Sequence, residues 1–411
     1  SKVQKIIFLF ILLFNCLLYS ENYVLMVSFD GFRYDYTEMA NTPNFDKIAK
    51  KGVKAKSLIP VFPSLTFPNH YSIATGSYSG THNITGNSFY DKKLNKGYSL
   101  YKKDTVRDSS FYKSEPIWAT AERQGLKSAS YFWVGSEAPI KGYSPSIFKY
   151  YDGSVPFESR IDSIVSWFKL PKFQRPDLAM LYFSEPDQTG HNFGIDNLEI
   201  ISTIEKMDSL LGYLINELEN LEIYTELNII IVSDHGMSNV SKERRIVVED
   251  YLDSHLSKID IRGKGAYMQL DINLDNKLDI SAFKNDLEKI PNVRVWEKND
   301  IPERFHFINH NTGDILILAD EGWLLTTKKD YNKSTFSLGG MHGYDPKILN
   351  MHGIFYAFGA DINKNIVLSS FENIHIYPLI CELLGIKPYS GDFDSSEGDI
   401  QVLKHILKND K

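Results

Sequence analysis

Short apolar runs recur along this chain, and each of them ends in a cluster of polar residues. They cover residues 23–29, 178–183, 227–232, 315–319 and 353–358. Runs of this length, apolar on both faces, are typical of strands in a largely parallel sheet that is covered by helices. Amphipathic segments lie between them and predict helices over residues 44–51, 117–124, 158–168, 197–221, 281–290 and 372–384.

The alternation of strands and helices predicts an α/β fold, doubly wound, with a mostly parallel central sheet flanked by helices. Folds of this kind bind their ligands beyond the carboxyl ends of the strands. Asp30, Asp187 and Asp234 each follow an apolar run, so we expect three carboxylates to meet in one crevice. Residues 247–327 contain alternating polar segments instead, and we interpret them as a small inserted or flanking β-containing region.

The N-terminal segment has the pattern of a secretory signal peptide. Residues 6–18 are almost entirely apolar, Lys2 and Lys5 precede them, and polar residues follow. The apolar stretch is short for a membrane span, which needs about 20 residues. We therefore predict a signal peptide over residues 1–20, with an uncleaved anchor as the alternative. The mature protein would be secreted or lie on the extracellular face of the cell surface.

Three N-glycosylation motifs fit an extracellular location, and their acceptors are Asn83, Asn239 and Asn332. The cysteines add little to this picture. Cys16 lies in the apolar leader, so Cys381 remains alone and has no partner for an internal disulfide. Its apolar neighbours predict a buried thiol.

Charge limits the kind of ligand that the protein binds. The 411 residues carry a formal net charge of -7, from 45 Lys and Arg against 52 Asp and Glu. Proteins that bind polymeric nucleic acid gather basic charge, so we expect no such partner. A small phosphorylated ligand is compatible with this composition. The sequence leaves open the oligomeric state and any membrane attachment outside these residues.

Thr66 is the candidate nucleophile, and it lies in the run FPSLTFPNH between two proline-containing dipeptides. A hydroxyl group is a poor nucleophile at its own pKa, and a metal ion that holds it as the alkoxide makes it a good one. The simpler interpretation is that Thr66 is a helix N-cap, and both roles are compatible.

The metal would be held by acids and histidines that follow the strands. Asp187 and His191 are four residues apart, which suits two ligands of one ion. Asp234 and His235 are adjacent, and we expect their side chains to point in different directions and to serve two neighbouring ions. His342 lies between glycines that allow close backbone approach. With Asp30 and Thr66, this set has enough ligands for two ions about 3.5–4 Å apart.

The mixture of imidazole and carboxylate ligands favours zinc over magnesium, so we predict two zinc ions. Each member of the set also has an ordinary interpretation. An acid before glycine, such as Asp30, is common in turns, and an isolated Asp and His in a loop are often surface groups.

The chain resembles the nucleotide pyrophosphatase/phosphodiesterases, the ecto-enzyme branch of the alkaline phosphatase superfamily. The resemblance covers residues 23–384 and is carried, in order, by FDGFR, FPSLTFPNHYSIATG, GNSFYD, EPIW, YFWVGSE, YDGSVPF, EPDQTGH, SDHGM and MHGYD. It implies an alkaline phosphatase-like fold and a single phosphodiesterase catalytic domain over residues 22–400, with residues 401–411 as a C-terminal tail.

The resemblance also implies roles for individual residues. One zinc would be bound by Asp187, His191 and His342, and the other by Asp30, Thr66, Asp234 and His235. Asn87 would contact a phosphate oxygen. Phe67 and Tyr151 would enclose a nucleobase, beside Trp133 as a pocket wall and Glu137 as a polar contact to the base edge. A phosphate-binding lysine would be Lys102 or Lys103.

The predicted activity is hydrolysis of phosphodiester or pyrophosphate bonds in nucleotides such as ATP, ADP, NAD or dinucleotide polyphosphates. Nucleoside monophosphates would be released through a covalent nucleotidyl-threonine intermediate. One alternative keeps the metals and changes the substrate to a choline phosphodiester or lysophospholipid, because an aromatic pocket also attracts a quaternary ammonium. The other alternative is a catalytically silent binding protein.

Overall fold

The computed structural model describes residues 22–252, 255–273, 279–333 and 339–408. The predicted signal peptide and Cys16 lie outside these residues. An eight-stranded sheet forms the centre of the molecule. Its strands, in spatial order, are Ile366–Leu368, Val53–Ala55, Phe355–Gly359, Leu227–Val232, Tyr23–Phe29, Leu178–Phe183, Ser128–Tyr131 and Ile147–Lys149.

The central sheet is mostly parallel and doubly wound, as predicted. Tyr23–Phe29 lies inside the sheet, between Leu178–Phe183 on one side and Leu227–Val232 on the other, and both pairings are parallel. Phe355–Gly359 alone runs against its two neighbours in this sheet. The carboxyl ends of the three inner strands therefore meet at one edge of the sheet.

Helices cover both faces of the sheet, because successive side chains of each strand point to opposite faces. Leu25, Val27 and Phe29 pack with the helices Pro43–Lys51, Phe157–Phe168 and Leu198–Glu219. Val24 and Met26 pack on the other face with Thr66–Thr75, Ile117–Arg123 and Ile376–Leu384.

The helix Ile376–Leu384 begins later than the predicted residue 372, because Phe371–Glu372 is a strand and Asn373–His375 is a 3-10 turn. Cys381 is buried in it, as predicted.

The region predicted to differ forms a separate antiparallel sheet. Its strands, in spatial order, are Ile259–Arg262, Tyr267–Ile272, Ile315–Ala319 and Val293–Glu297, with the helix Ile280–Leu287 beside them. The assignment of Ile315–Ala319 to the parallel sheet is therefore wrong. Ile315 and Ile317 pack in one apolar cluster and Leu316 and Leu318 in another. A strand covered on both faces reads as continuously apolar in either kind of sheet, so the pattern did not distinguish them.

Short elements complete the described chain. Paired strands are Leu58–Ile59 with Phe371–Glu372, Ser88–Asp91 with Lys96–Ser99, Ser238–Asn239 with Gly340–Met341, and Arg245–Val247 with Leu324–Thr326. The remaining helices are Tyr36–Met39, Ser79–His82, Lys103–Val106, Asp187–Phe193 and Lys328–Lys333. Near the C-terminus, Leu403 and Ile406 are buried. No helix within the described ranges has the length and apolar character needed to cross a bilayer.

Candidate active site

Three carboxylates converge at the carboxyl edge of the central sheet. Asp30 directly follows the strand Tyr23–Phe29, and Asp234 follows Leu227–Val232 after one serine. Asp187 is the first residue of the helix that comes after Leu178–Phe183. These strands are parallel neighbours, which explains why acids so far apart in sequence lie together.

Asp187, His191 and His342 form one group of candidate metal ligands. The Oδ1 atom of Asp187 lies 3.4 Å from Nε2 of His191 and 3.4 Å from Nε2 of His342. The two histidine Nε2 atoms are 3.1 Å apart. Three donor atoms this close together, from one acid and two imidazoles, suit a single cation.

Asp30, Asp234, His235 and Thr66 form a second group around one imidazole nitrogen. Nε2 of His235 lies 3.4 Å from Oδ1 of Asp30 and 3.0 Å from Oδ2 of Asp234. The hydroxyl Oγ1 of Thr66 is 3.1 Å from the same nitrogen. The expectation that Asp234 and His235 point apart is therefore wrong. The strand Leu227–Val232 has ended before them, so the alternation of side chains along a strand does not apply.

The hydrogen bonds of the three histidines leave Nε2 as the acceptor atom. Nδ1 lies 2.9 Å from Gly340 O in His191, 2.8 Å from Gly236 O in His235, and 2.8 Å from Ser64 O in His342. A carbonyl oxygen only accepts, so each Nδ1 carries the proton in the neutral ring. The lone pair is then on Nε2, which faces the carboxylates, as metal-binding imidazoles require.

His70 also lies close to the second group, but its hydrogen bonds do not fit a ligand. Its Nδ1 is 2.9 Å from the carbonyl oxygen of Thr66 and 3.3 Å from Oδ2 of Asp234. Nδ1 therefore carries a proton, and Nε2 is occupied by the hydroxyl of Ser28 at 2.7 Å. His70 is therefore a buried neighbour of Asp234 that is held by Thr66 and Ser28, a position that its sequence context did not reveal.

The carboxylates have unsatisfied oxygens that fit a bound cation. Tyr182 donates its hydroxyl to Oδ2 of Asp30 at 2.5 Å, and the backbone N–H of Gly31 donates to Oδ1 of Asp234 at 3.0 Å. The remaining oxygens, Oδ1 of Asp30 and Oδ2 of Asp234, are buried without a hydrogen-bond partner, as is Oδ1 of Asp187. Buried polar atoms without partners are costly. Oδ1 of Asp187 belongs to the first candidate group, and the other two oxygens belong to the second. Cations bound at the two groups would therefore satisfy all three oxygens.

The pKa values of Asp30 and Asp187 reflect the burial of several carboxylates close together. Burial, followed by repulsion from Asp234 and Asp187, raises the pKa of Asp30 well above its usual range. Burial also acts to raise the pKa of Asp187, but the imidazoles of His191, His342 and His235 lower it to about 2. A cation at this position would favour the ionised form of all three acids.

Tyr182 is expected to contribute to metal affinity, because it fixes the carboxylate of Asp30 from behind. Replacing an outer partner of a metal ligand typically weakens metal binding about 10–100-fold. We expect Tyr182→Phe to show a loss in this range when metal affinity is measured by competition with a chromogenic chelator. Tyr131→Phe, in the neighbouring strand Ser128–Tyr131, is the control. Unchanged affinity in Tyr182→Phe would contradict the role.

The loop before Thr66 is held in place by hydrogen bonds to the side chain of Asn69. The side chain of Asn69 is fully buried, accepts from Val61 N at 2.8 Å and donates to Pro63 O and Leu65 O at 3.0 and 2.9 Å. Thr66 is the first residue of its helix, and the N-cap position is Leu65. The interpretation of Thr66 as an N-cap is therefore wrong, and its hydroxyl faces His235 instead.

A cavity of about 540 Å³ opens beside the candidate metal ligands. The residues predicted to bind substrate all line it, and they are Phe67, Asn87, Trp133, Glu137 and Tyr151. Oδ1 of Asn87 accepts from the backbone N–H of Phe67 at 2.9 Å, which orients the amide and leaves its NH₂ group for a ligand. Lys103 also lines the cavity, whereas Lys102 is not among its lining residues.

Glu137 holds two neighbours in the cavity wall. One oxygen accepts from Tyr151 N at 2.7 Å and the other from Nε of Arg107 at 2.9 Å. Its contact with a base edge stays a prediction, but both of its oxygens already have partners. Arg107 lines the same cavity and was missed in the sequence, because nothing in its local pattern marks it.

The glycosylation acceptors differ in their surroundings. Asn83 is 1% exposed and donates to Asp91 and to the carbonyl of Phe111; its glycosylation stays a prediction, which this burial opposes. Asn239 is partly buried and bonds to Asp196 and Ile195. Asn332 is exposed and stays a predicted acceptor.

Comparisons with known proteins agree on one family. The family model described as type I phosphodiesterase / nucleotide pyrophosphatase matches residues 24–345. A venom phosphodiesterase of Naja atra is 36% identical over 95% of this chain and 47% of its own length. Human ectonucleotide pyrophosphatase/phosphodiesterase family member 5 is 37% identical over 90% of this chain and 76% of its own. The chain spans about half the length of the first curated relatives that it matches.

A solved structure gives the same result. Murine ectonucleotide pyrophosphatase/phosphodiesterase 5 superimposes with a TM-score of 0.86 and 34% identity, over 94% of this chain and all of that one. An inactive threonine-to-alanine variant of the murine protein has been solved in complex with AMP.

Proposed function

The chain belongs to the type I phosphodiesterase/nucleotide pyrophosphatase family, and on that basis we propose that it hydrolyses phosphodiester or pyrophosphate bonds in nucleotides. The resemblance first identified from its motifs is thereby confirmed. The proposed products are nucleoside monophosphates, the proposed cofactors are two zinc ions, and the proposed nucleophile is Thr66. Its relatives include venom enzymes and proteins named as ectonucleotide enzymes, which supports an extracellular location for this chain as well.

One observation carries the proposal. The hydroxyl of Thr66 lies 3.1 Å from Nε2 of His235, in the middle of a set of carboxylates and imidazoles whose buried oxygens lack partners. With Nδ1 of His235 protonated, its Nε2 lone pair and the Thr66 hydroxyl face the same place, so one cation bound there would contact both. The arrangement suits attack by an oxygen atom on a group that cations have made electrophilic.

The residues divide between the two proposed ions as their distances suggest. Asp187, His191 and His342 would hold one, and Asp30, Asp234, His235 and Thr66 the other. Bound there, zinc would supply Lewis acidity to the phosphoryl group and lower the pKa of the Thr66 hydroxyl. The NH₂ group of Asn87 is oriented to donate to a phosphate oxygen, as an oxyanion donor does.

The proposed reaction has two displacements at phosphorus. The oxygen of Thr66 forms a bond to phosphorus while the bond to the leaving oxygen breaks, and the hydroxyl proton of Thr66 passes, directly or through solvent, to that leaving oxygen. Water then forms a bond to the same phosphorus and the Thr66 bond breaks, which returns the hydroxyl and releases the nucleoside monophosphate. One water molecule is consumed in each cycle.

The lining of the cavity supports a nucleotide more than a choline ester. Phe67 and Tyr151 are aromatic, and stacking on such rings is tolerant of the base because every base has a π-face. Lys103 and Arg107 line the same cavity. Arg107 is paired with Glu137, so Lys103 is the cation of the two that favours a further phosphate group. The murine relative solved with AMP points to the same class of substrate.

The proposal is tested with two chromogenic esters, the nitrophenyl esters of thymidine monophosphate and of phosphocholine. We expect rapid release of nitrophenol from the nucleotide ester, little from the phosphocholine ester, and none from either after treatment with a chelator. Preference for the phosphocholine ester would favour the choline or lysophospholipid alternative. No turnover of either ester by protein that contains zinc would favour the silent binding protein.

Tyr151 is expected to contribute to binding of the base rather than to chemistry. Loss of one stacking side chain costs about 1–3 kcal/mol, so Tyr151→Ala should raise KM for the nucleotide ester by about tenfold or more. Its effect on kcat should be much smaller. Tyr251→Ala removes an exposed tyrosine that does not line this cavity and serves as the control. A Tyr151→Ala enzyme that loses kcat while its KM stays unchanged would refute the stacking role.

A further inference from the structure

A second cavity, of about 490 Å³, adjoins the candidate metal ligands His191 and His342. It shares four lining residues with the first cavity: Asn87, Tyr101, His191 and His342. Thr66 lines the first cavity and is not among the lining residues of the second. Two of the candidate ligands, His191 and His342, therefore line both spaces, and each space is large enough for part of a substrate.

The second cavity has a basic lining in a protein that is acidic as a whole. Arg245, Lys264 and Lys333 line it, against the single acid Asp330. They come from the strand Arg245–Val247, the loop before Tyr267–Ile272 and the helix Lys328–Lys333. Since the whole chain has a formal net charge of -7, three cations facing one cavity form a local reversal of charge.

Two of these cations are held in place by neighbours. The guanidinium of Arg245 lies 4.1 Å from the centre of the Tyr331 ring, and its Nε donates to the carbonyl of Lys242 at 3.1 Å. Nζ of Lys264 is 3.3 Å from Oδ2 of Asp330. The terminal nitrogens of Arg245 are not needed for these contacts, and a guanidinium binds phosphate oxygens in pairs.

The direction of the proposed reaction gives this cavity a role. In a displacement at phosphorus, the entering and leaving oxygens lie on opposite sides of the phosphorus atom. With the base held beside Phe67 and the attack coming from Thr66, the leaving group must extend away from Thr66. The second cavity adjoins the candidate ligands His191 and His342, and Thr66 does not line it.

We propose that the second cavity binds the leaving half of the substrate and that Arg245 and Lys264 select a leaving group with several negative charges. The chemical class is a polyphosphate chain, either pyrophosphate itself or one that continues to a second nucleoside. This inference rests on the proposed function, since it assigns the other half of the same substrate. It makes nucleoside triphosphates and dinucleoside polyphosphates better substrates than esters with an uncharged leaving half.

The test compares two substrates with the same nucleotidyl half, ATP and the nitrophenyl ester of AMP. We expect the double variant Arg245→Gln, Lys264→Gln to lower kcat/KM for ATP about tenfold or more, which corresponds to about 1.4 kcal/mol. We expect kcat/KM for the nitrophenyl ester to stay within about twofold, and this also shows that the variant is folded. Lys364→Gln, at an exposed position outside both cavities, is the matched control.

Salt provides a second readout on the unmodified protein. Screening weakens attraction between exposed charges, so added potassium chloride should lower kcat/KM more for ATP than for the nitrophenyl ester. That difference should shrink in the double variant. Equal losses for both substrates in the variant, or no loss for either, would overturn the inference while leaving the proposed function standing. Failure of the unmodified, zinc-containing protein to cleave the nitrophenyl ester would overturn both.

Discussion

Replacing Thr66 by alanine is expected to abolish turnover and to leave the bound metal in place. Loss of a catalytic nucleophile lowers kcat by about four orders of magnitude or more. Metal content should change little, because Asp30, Asp234 and His235 remain in the second group and Thr66 takes no part in the first. The measurement pairs kcat for the nucleotide ester with zinc content by atomic absorption.

Thr66→Ser is the matched variant, because it keeps the hydroxyl and removes one methyl group. It should retain far more activity than Thr66→Ala, with the same zinc content. Thr66→Ala protein that still turns over at a substantial fraction of the normal rate would refute the assignment of the nucleophile. Loss of zinc in that variant would instead make Thr66 a structural ligand.

Removal of the metal is expected to have the other large effect, on both activity and stability. Without a cation, one buried oxygen of each of Asp30, Asp187 and Asp234 has no hydrogen-bond partner, and the carboxylates of Asp234 and Asp187 repel that of Asp30. A ligand at 1,000 times its Kd stabilises the folded state by about 4 kcal/mol, so chelation should lower Tm by several degrees. Turnover should stop at the same time.

Adding back metal separates a specific site from a general effect of the chelator. Zinc should restore both turnover and Tm, and magnesium should restore neither, because imidazole is a poor magnesium ligand. His342→Ala should need more zinc than the normal protein to reach full activity. An enzyme that keeps its activity and its Tm in excess chelator would contradict a metal site at these residues.

The parts of the site that the sequence predicted are those that follow from strand order. The acids that follow the runs 23–29, 178–183 and 227–232 predict that Asp30, Asp187 and Asp234 meet at one edge, because parallel neighbours end together. His342 comes from a distant segment and reaches the site through Ser64, whose carbonyl lies 2.8 Å from its Nδ1. Only the glycines around His342 and the family resemblance indicated it beforehand.

Other features depend on side chains that meet only in the folded chain. The sequence pattern places Tyr182 in an apolar strand, yet its hydroxyl bonds to Asp30. Arg107 lies on no recognisable motif and reaches the cavity through Glu137. Asn83 has the sequence motif of a glycosylation acceptor, but its side chain is buried in the folded protein. Contacts between segments far apart in sequence leave no periodic pattern in the sequence. The roles of these residues can therefore be identified only from the fold.

The most direct test of a covalent mechanism at Thr66 is to trap the intermediate. A nucleotide ester labelled with radioactive phosphorus at the scissile bond is mixed with zinc-loaded enzyme, quenched in acid within one turnover, and digested. We expect a label on the peptide that contains Thr66, and none in Thr66→Ala. Normal turnover with no labelled protein, or a label on any other residue, would contradict it.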